Sequence, residues 1–291
     1  VRLIYPKLDP LPDLGFTRIA GAGLGNCFFA YFHAFVLARK WDATLIHPAW
    51  PSFKLGPLLR GENSKRFYVG IFHAPPDEMA GMRKMIALAR YRRGAPVVDA
   101  AEIDQATPRD GMTLVTSRAF VFAGLQAWRA EVRARFLQMI VEPPPPGFRW
   151  GAGDYAALHV RLGDFGSPDT QATAYSSNTR ISLDWYKAVI RLVQRERPGL
   201  PIRILSDGKD EELAPLSALG AQVTRTGSDI GDLLMLSGAS LLIGSNSTYS
   251  RWAAYLGDME TIWTPVTRKV EKPSSAGARI HFPTADAISL S

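Results

Sequence analysis

Residues Tyr155-Ala156-Ala157-Leu158-His159-Val160-Arg161-Leu162-Gly163-Asp164 decide the reading of the fold. An apolar run that ends in a histidine, an arginine and an acid has the form of a buried parallel strand carrying polar groups to its carboxyl end. Downstream the alternation is regular. Ser182 to Arg197 has helical spacing, Ile202 to Ser206 reads as a strand, Glu211 to Leu219 as a helix and Gln222 to Thr226 as a strand. Ile230 to Ser237 and Ser247 to Leu256 continue as helices, with strands at Ser240 to Ser245 and Thr261 to Thr264. Strands alternating with helices imply parallel pairing, so this region is expected to be a Rossmann-like sheet with helices on both faces.

Upstream, Pro143-Pro144-Pro145-Pro146-Gly147 can neither continue a helix nor join a central strand and reads as a stiff linker. The expected organisation is therefore an N-terminal α/β domain over 1–142, a linker over 143–151 and a C-terminal domain over 152–291. In the first domain, Phe16 to Ala20 reads as a strand, Asn26 as the cap of a helix running to about Trp41, and Ala43 to His47 as the next strand, one β-α-β unit. Glu78 to Tyr91 and Leu125 to Val141 have helical spacing around a strand-like Thr113 to Phe122.

Three polar clusters fall at expected strand ends, where ligands sit in open parallel sheets. The first holds His159, Arg161 and Asp164; the second is Ser206-Asp207-Gly208; the third is Ser245-Asn246-Ser247-Thr248, which opens a helix. Hydroxyls and free backbone N–H groups at a helix start suit an anion, and an arginine offers a fork matched to phosphate oxygens. The plainer alternatives are a buried ion pair of His159 and Arg161 with Asp164, and a simple cap at Ser245 or Asn246. The turn Gly21-Ala22-Gly23-Leu24-Gly25-Asn26 departs from a dinucleotide fingerprint at its last position; it brings backbone and the Asn26 amide close to a ligand, or is a tight turn with an Asn cap.

Composition narrows the field. The chain has 291 residues, 46% of them hydrophobic, and a formal net charge of +7, the size and balance of an ordinary globular protein with two compact halves. All the excess charge precedes residue 143, and much of it lies between Arg60 and Arg93. That run reads either as a solvated face or as a surface for anionic acceptors, phospholipid headgroups or nucleic acid. The last is disfavoured, because the run has few interleaved aromatics and no known motif. The single cysteine, Cys27, excludes an internal disulfide framework and points to a reducing compartment. With no apolar run of about 18 residues and no signal-like core in Val-Arg-Leu-Ile-Tyr-Pro-Lys, a cytoplasmic protein with membrane-peripheral contact is expected. No D-x-D triplet occurs and the five histidines lack metal-ligand spacing, so neither a metal nor another cofactor is expected. His33, in an apolar aromatic helix, reads as a satisfied core residue.

The ordered set of motifs resembles the α-1,2-fucosyltransferases and, more distantly, the α-1,6- and protein O-fucosyltransferases. Gly23-Leu24-Gly25-Asn26 is similar to their G-L-G-N-Q motif and His159-Val160-Arg161-Leu162-Gly163-Asp164 to H-V-R-R-G-D. Leu205-Ser206-Asp207 is similar to F-S-D, and the segment from Ser245 to Leu256 to N-S-S/T-F-S-W-W-A-A-x-L. The resemblance implies a GT-B fold of two facing Rossmann-like domains, acceptor on the first and GDP-fucose on the second, with transfer to an oligosaccharide or glycolipid hydroxyl without a metal.

By position, the resemblance implies Arg161 at the β-phosphate, Asp207 at the guanosine, and Ser247 with Thr248, beside Ser245 and Asn246, at the diphosphate. It further implies His159 and Asp164 as buttresses of Arg161, and Asn26 with Gly23 and Gly25 approaching the donor from the other domain. The α-1,6 relatives carry a catalytic glutamate eight residues after the motif arginine; that position is Asp169 here, the candidate general base. The sequence departs from the family pattern at Cys27, Leu162 and Arg251, and Leu162, in place of the second arginine, bears on the linkage and the donor sugar. Another nucleotide sugar, or a noncatalytic nucleotide-sugar or glycan-binding module, are the alternatives.

Overall fold

A computed structural model of the chain describes residues 1–9, 13–19, 21–53, 67–118, 121–162 and 180–264. The chain forms two compact units, Val1–Pro143 and Pro144–Ser291.

The first unit contains β1 (Arg2–Pro6), β2 (Arg18–Ile19), α1 (Leu24–Trp41), β3 (Thr44–Leu45), β4 (Ser52–Phe53), α2 (Gly81–Tyr91), β5 (Val97–Asp99), β6 (Gly111–Thr116) and α3 (Arg129–Met139). Its main sheet is parallel in the order β3-β1-β6-β5. The strand partnering β3 is thus Arg2–Pro6, with Leu3 opposite Thr44 and Ile4 opposite Leu45. The expected strand from Phe16 contributes only Arg18–Ile19, paired separately with Ser52–Phe53. Arg18 explains this. Its buried guanidinium donates to the carbonyls of Ala49 (2.8 Å) and Trp50 (3.1 Å), a demand that a central apolar strand could not meet.

Helix α1 is buried nearly all round, as its aromatic sequence requires. Phe28 packs edge-on against Trp50, Phe72 and Phe136 at centroid separations near 6 Å, 6.0, 5.9 and 5.9 Å. His33 is a core residue, its Nδ1 2.7 Å from the Phe29 carbonyl oxygen. The helix starts earlier than the sequence suggests. Gly23 is the N-cap, in extended conformation and without a side-chain cap, and Asn26 lies inside the first turn with its N–H on the Gly23 carbonyl (3.0 Å).

The second unit follows the sequence reading closely: β7 (Ala156–Val160), α4 (Leu183–Glu196), β8 (Ile202–Ser206), α5 (Asp210–Ser217), β9 (Gln222–Val223), α6 (Asp229–Gly238), β10 (Leu241–Ile243), α7 (Thr248–Gly257) and β11 (Glu260–Ile262). Serines 182, 228 and 247 cap α4, α6 and α7 through their hydroxyls. All five strands are parallel, in the order β11-β10-β7-β8-β9. Every residue of β7 is buried, so the central strand has no polar face and reads as a continuous apolar run. The chain builds outward from β7 through β8 to β9, then returns to the other side for β10 and β11. This reversal puts the topological switch point between β7 and β10, where open parallel sheets leave a crevice beyond their carboxyl ends.

Candidate functional site

His159, the fourth residue of β7, and the loop from β10 into α7 meet at that switch point. The imidazole is buried, with Nδ1 2.5 Å from Ser250 Oγ and 3.0 Å from Ser245 Oγ. The Ser245 N–H donates to Ser250 Oγ (3.1 Å), Ser245 Oγ donates to Ser247 Oγ (3.1 Å), and Ser247 Oγ accepts the Ser250 N–H (3.2 Å). A neutral ring with Nδ1 as acceptor satisfies all three hydroxyls: Ser250 donates to the ring and Ser245 to Ser247. Burial, and secondarily the charge of Arg161, pushes the imidazole down from its ordinary 6.5 to about 4, against the opposing pull of Asp207. The ring is therefore neutral at neutral pH. It acts as a rivet for the serine loop, and its contacts run to that loop and to Tyr186, whose hydroxyl donates to the His159 carbonyl (3.2 Å).

Capping of α7 falls to Ser247, one or two residues later than the cap expected at Ser245 or Asn246. Asn246, Ser247 and Thr248 are half-buried around the helix start. Gly244, just before them, has no room for a side chain. A Cβ there would lie 2.2 Å from Trp263 Cζ3, so only glycine lets β10 deliver the loop at this height.

Arg161 is the first residue beyond β7. Its Nη1 lies 2.8 Å from Asp207 Oδ2, a close ion contact outside hydrogen-bond angles. The other carboxylate oxygen, Oδ1, accepts the Leu162 N–H at 2.8 Å. Asp207 thus ties the turn after β7 to the turn after β8 and pairs with Arg161 across 46 residues of sequence. Asp164 and Asp169, with Gly163, lie outside the described residues.

The β8 turn is itself pinned from a residue that sequence reasoning passed over. Arg225 donates to the carbonyls of Ser206 (2.5 Å) and Gly208 (2.8 Å) and pairs with Asp210 (2.7 Å). Its one sequence signal is an arginine at the end of a predicted strand. Gly208 is required by contact: a Cβ there would meet Leu162 Cδ1 at 2.5 Å. Leu162, in the position of the resembled family's second arginine, is buried in the unit's core with Val160, Leu213 and Tyr186.

In the first unit, Gly23 and Gly25 flank the start of α1, with open space beside Gly23 where a side chain would be; Asn26 is half-buried in the same turn. Beneath the turn lies the buried Asp9, whose carboxylate accepts the Ala22 N–H. Gly21 adopts φ +121°, and a Cβ there would meet Asp9 Oδ2 at 2.5 Å and Arg18 Nη1 at 3.3 Å. Cys27, where the family pattern has glutamine, is buried and lies 3.4 Å from Arg18 Nη1. Neither Asp9 nor Arg18 was readable as part of this turn, since their partners are backbone groups and a sulfur.

A separate ionic network joins α1, the segment after β3 and α3. Glu78 accepts from the Tyr31 hydroxyl (2.5 Å), lies 2.6 Å from His47 Nδ1 and 3.6 Å from Arg135 Nη1, and Arg135 also holds Asp77 (2.7 Å). Burial, reinforced by the Glu78 charge, pushes the Tyr31 phenol well above its ordinary range. Among the described residues no group of three or more His, Cys, Asp or Glu side chains is arranged to hold a metal, and no helix is long and apolar enough to cross a membrane.

No protein-family model matches the chain, and no curated protein matches it. Solved structures do. The NodZ α-1,6-fucosyltransferase soaked with GDP-fucose matches at a TM-score of 0.50 and 12% identity, over 88% of this chain and 92% of that one. Fucosyltransferase NodZ from Bradyrhizobium matches at 0.44 and 11%, over 88% and 93%, and POFUT1 in complex with GDP at 0.43 and 10%, over 90% and 97%. At such identities the likeness is one of fold, and the match at 0.50 agrees with the α/β, GT-B class expected from the sequence.

Proposed function

We propose that the chain is an inverting, metal-independent glycosyltransferase that moves fucose from GDP-fucose to a glycan hydroxyl, with an α-1,2 linkage favoured. The observation that carries this reading is that adjacent parallel strands of the second unit, β7 and β10, bring Arg161 and the serine loop that opens α7 to the same carboxyl edge of the sheet, at its switch point. The arginine and the helix start are the two anion-binding devices that a diphosphate leaving group needs. The motif resemblance supports the fucosyl donor, and so does the GDP-fucose named for the NodZ structure.

In this mechanism the acceptor hydroxyl attacks the anomeric carbon from the face opposite the diphosphate. The C1–O bond to phosphate breaks as the new C1–O bond forms, and negative charge builds on the β-phosphate. Arg161 and the Ser247–Thr248 helix start meet that charge. Asp207 sets the guanidinium in place, and Asp169 is the proposed base for the hydroxyl proton. The second unit takes the donor, and the first an oligosaccharide or glycolipid acceptor.

The decisive experiment measures GDP-fucose transfer and GDP calorimetry on the parent and on Arg161→Ala, each with and without a chelator. Expected is a loss of on the order of 100- to 1000-fold in turnover with the fold intact, weaker GDP binding, and no effect of the chelator. Near-parental turnover by folded Arg161→Ala refutes the assignment, and preference for UDP over GDP moves the chain to another nucleotide sugar. Binding of GDP-fucose without hydrolysis or transfer leaves a noncatalytic module. For Asp169→Asn, loss of the acidic limb of the pH–rate profile is expected, and an unchanged profile removes it from the mechanism.

A further inference from the structure

Among the described residues, every large apolar side chain left exposed belongs to the first unit. Four of them lie on α2 and on the turn before β2 that packs against it. Met82 (75% exposed) and Ile86 (60%) stand on the outer side of α2, opposite Lys84, Ala87 and Leu88, which the helix buries. Leu14 (48%) and Phe16 (65%) flank Gly15. That glycine, at φ +86°, approaches α2 so closely that a Cβ would lie 2.9 Å from Leu88 Cδ1 and 3.1 Å from Met85 Sδ. Helical residues advance by about 100° each, so the turn, Met85, Met82 and Ile86 follow one another around the same side of α2.

The turn is locked in place. Asp13 accepts from the Tyr5 hydroxyl (2.6 Å) and the Gly15 N–H (2.7 Å), its carbonyl accepts from Arg92 Nη1 (2.7 Å), and the Leu14 N–H reaches the Thr17 carbonyl (2.9 Å). Arg92 therefore serves structure. Its neighbours Arg83, Arg90 and Arg93 are exposed and make no ion pair among the described residues. Around the helix, Arg83 and Arg90 lie only about 40–60° beyond Ile86 and so border the apolar strip.

We propose that this face seats the first unit on an anionic lipid bilayer, Leu14, Phe16, Met82 and Ile86 entering the interface and the three arginines meeting headgroup phosphates. A rigid apolar strip edged by exposed cations that make no ion pair among the described residues is the form of an interfacial anchor, with buried apolar area and attraction to anionic lipid both contributing. A second copy of the chain is a poorer occupant, because a two-fold contact would set like arginines against one another. The proposal goes beyond the transferase reading and stands or falls whether or not the chain transfers a sugar.

The test is co-sedimentation of the full chain with phosphatidylcholine vesicles and with phosphatidylcholine–phosphatidylserine vesicles, alongside sedimentation velocity without lipid. Expected are binding to the mixed vesicles that weakens with salt, and little binding to phosphatidylcholine alone. At about fivefold per arginine, Arg83→Gln/Arg90→Gln/Arg93→Gln should bind on the order of 100-fold more weakly. Met82→Ser/Ile86→Ser should also lose binding while unfolding at the parental temperature, since neither side chain is in the core. A fluorophore on Met82→Cys should shift to the blue with mixed vesicles. Absent or equal binding to the two vesicle types, parental binding by either variant, or self-association abolished by Met82→Ser/Ile86→Ser overturns the proposal.

Discussion

Lowering the pH should destabilise the second unit through one residue, His159. Its ring is buried beside Ser245, Ser250 and Tyr249, and burial with the nearby Arg161 charge brings it from an ordinary 6.5 to about 4. Between those values the unfolded chain binds a proton that the folded chain does not. The stability is fully present above 6.5 and is lost as pH falls toward 4. A tenfold difference in proton affinity corresponds to about 1.4 kcal/mol, so the ceiling is ~3 kcal/mol, of which about 2 kcal/mol is lost by about pH 5. Urea unfolding of the parent and of His159→Gln, near neutrality and at about pH 5, isolates this contribution, because every carboxylate that also titrates is common to both. The glutamine keeps a hydrogen-bonding group beside Ser250, so its own cost should be about 1–2 kcal/mol and independent of pH. Expected is a parent that loses about 2 kcal/mol more than His159→Gln between the two pH values. Equal losses would show that His159 is not held neutral, and with that the rivet assignment fails.

Gly244→Ala should lower the melting temperature, because its Cβ would lie 2.2 Å from the Trp263 ring; overpacking of this kind costs about 1–3 kcal/mol. As the serine loop follows Gly244, GDP affinity by calorimetry should fall as well, and parental values for both would refute the steric account. Glu78→Ala leaves the buried Arg135 and the Tyr31 hydroxyl without their shared carboxylate. Urea unfolding should report a loss of about 3–5 kcal/mol, whereas a loss below ~1 kcal/mol would mean that Asp77 alone satisfies the arginine.

The alternation after the proline run was legible because each signal was local. Ala156–Val160 is apolar at every position but one, and serines 182 and 247 stand at helix starts, where their hydroxyls now accept backbone N–H groups. The first unit was harder to read for two reasons. Arg2–Pro6 opens with an arginine and ends with a proline, so its buried Leu3-Ile4-Tyr5 centre is masked by its ends; Val97–Asp99 is too short to carry a period. The same limit governs the candidate site. Strand-end placement, a local property, brings His159, Arg161, Asp207 and the Ser245–Thr248 segment onto one sheet edge. Partner choice is not local, and neither the Arg161–Asp207 contact nor the hold of Arg225 on the Ser206–Gly208 turn could be read from spacing.

Leu162 shows how packing bears on chemistry here. The resembled family's pattern places a second arginine at this position, yet the side chain is buried against Gly208 in the second unit's core. A guanidinium there would enter an apolar environment, and the adjacent carboxylate, Asp207, already holds Arg161 with one oxygen and the Leu162 N–H with the other. Leucine and glycine are thus a matched pair, since a larger residue at either position expels the other. Under the proposed mechanism the departing diphosphate then meets one arginine of this motif, and the rest of its charge falls to the start of α7. The burden on that helix start gives a physical reason for its construction: a capping serine, a loop riveted by a neutral histidine, and a glycine pressed against Trp263 so that the loop cannot drift.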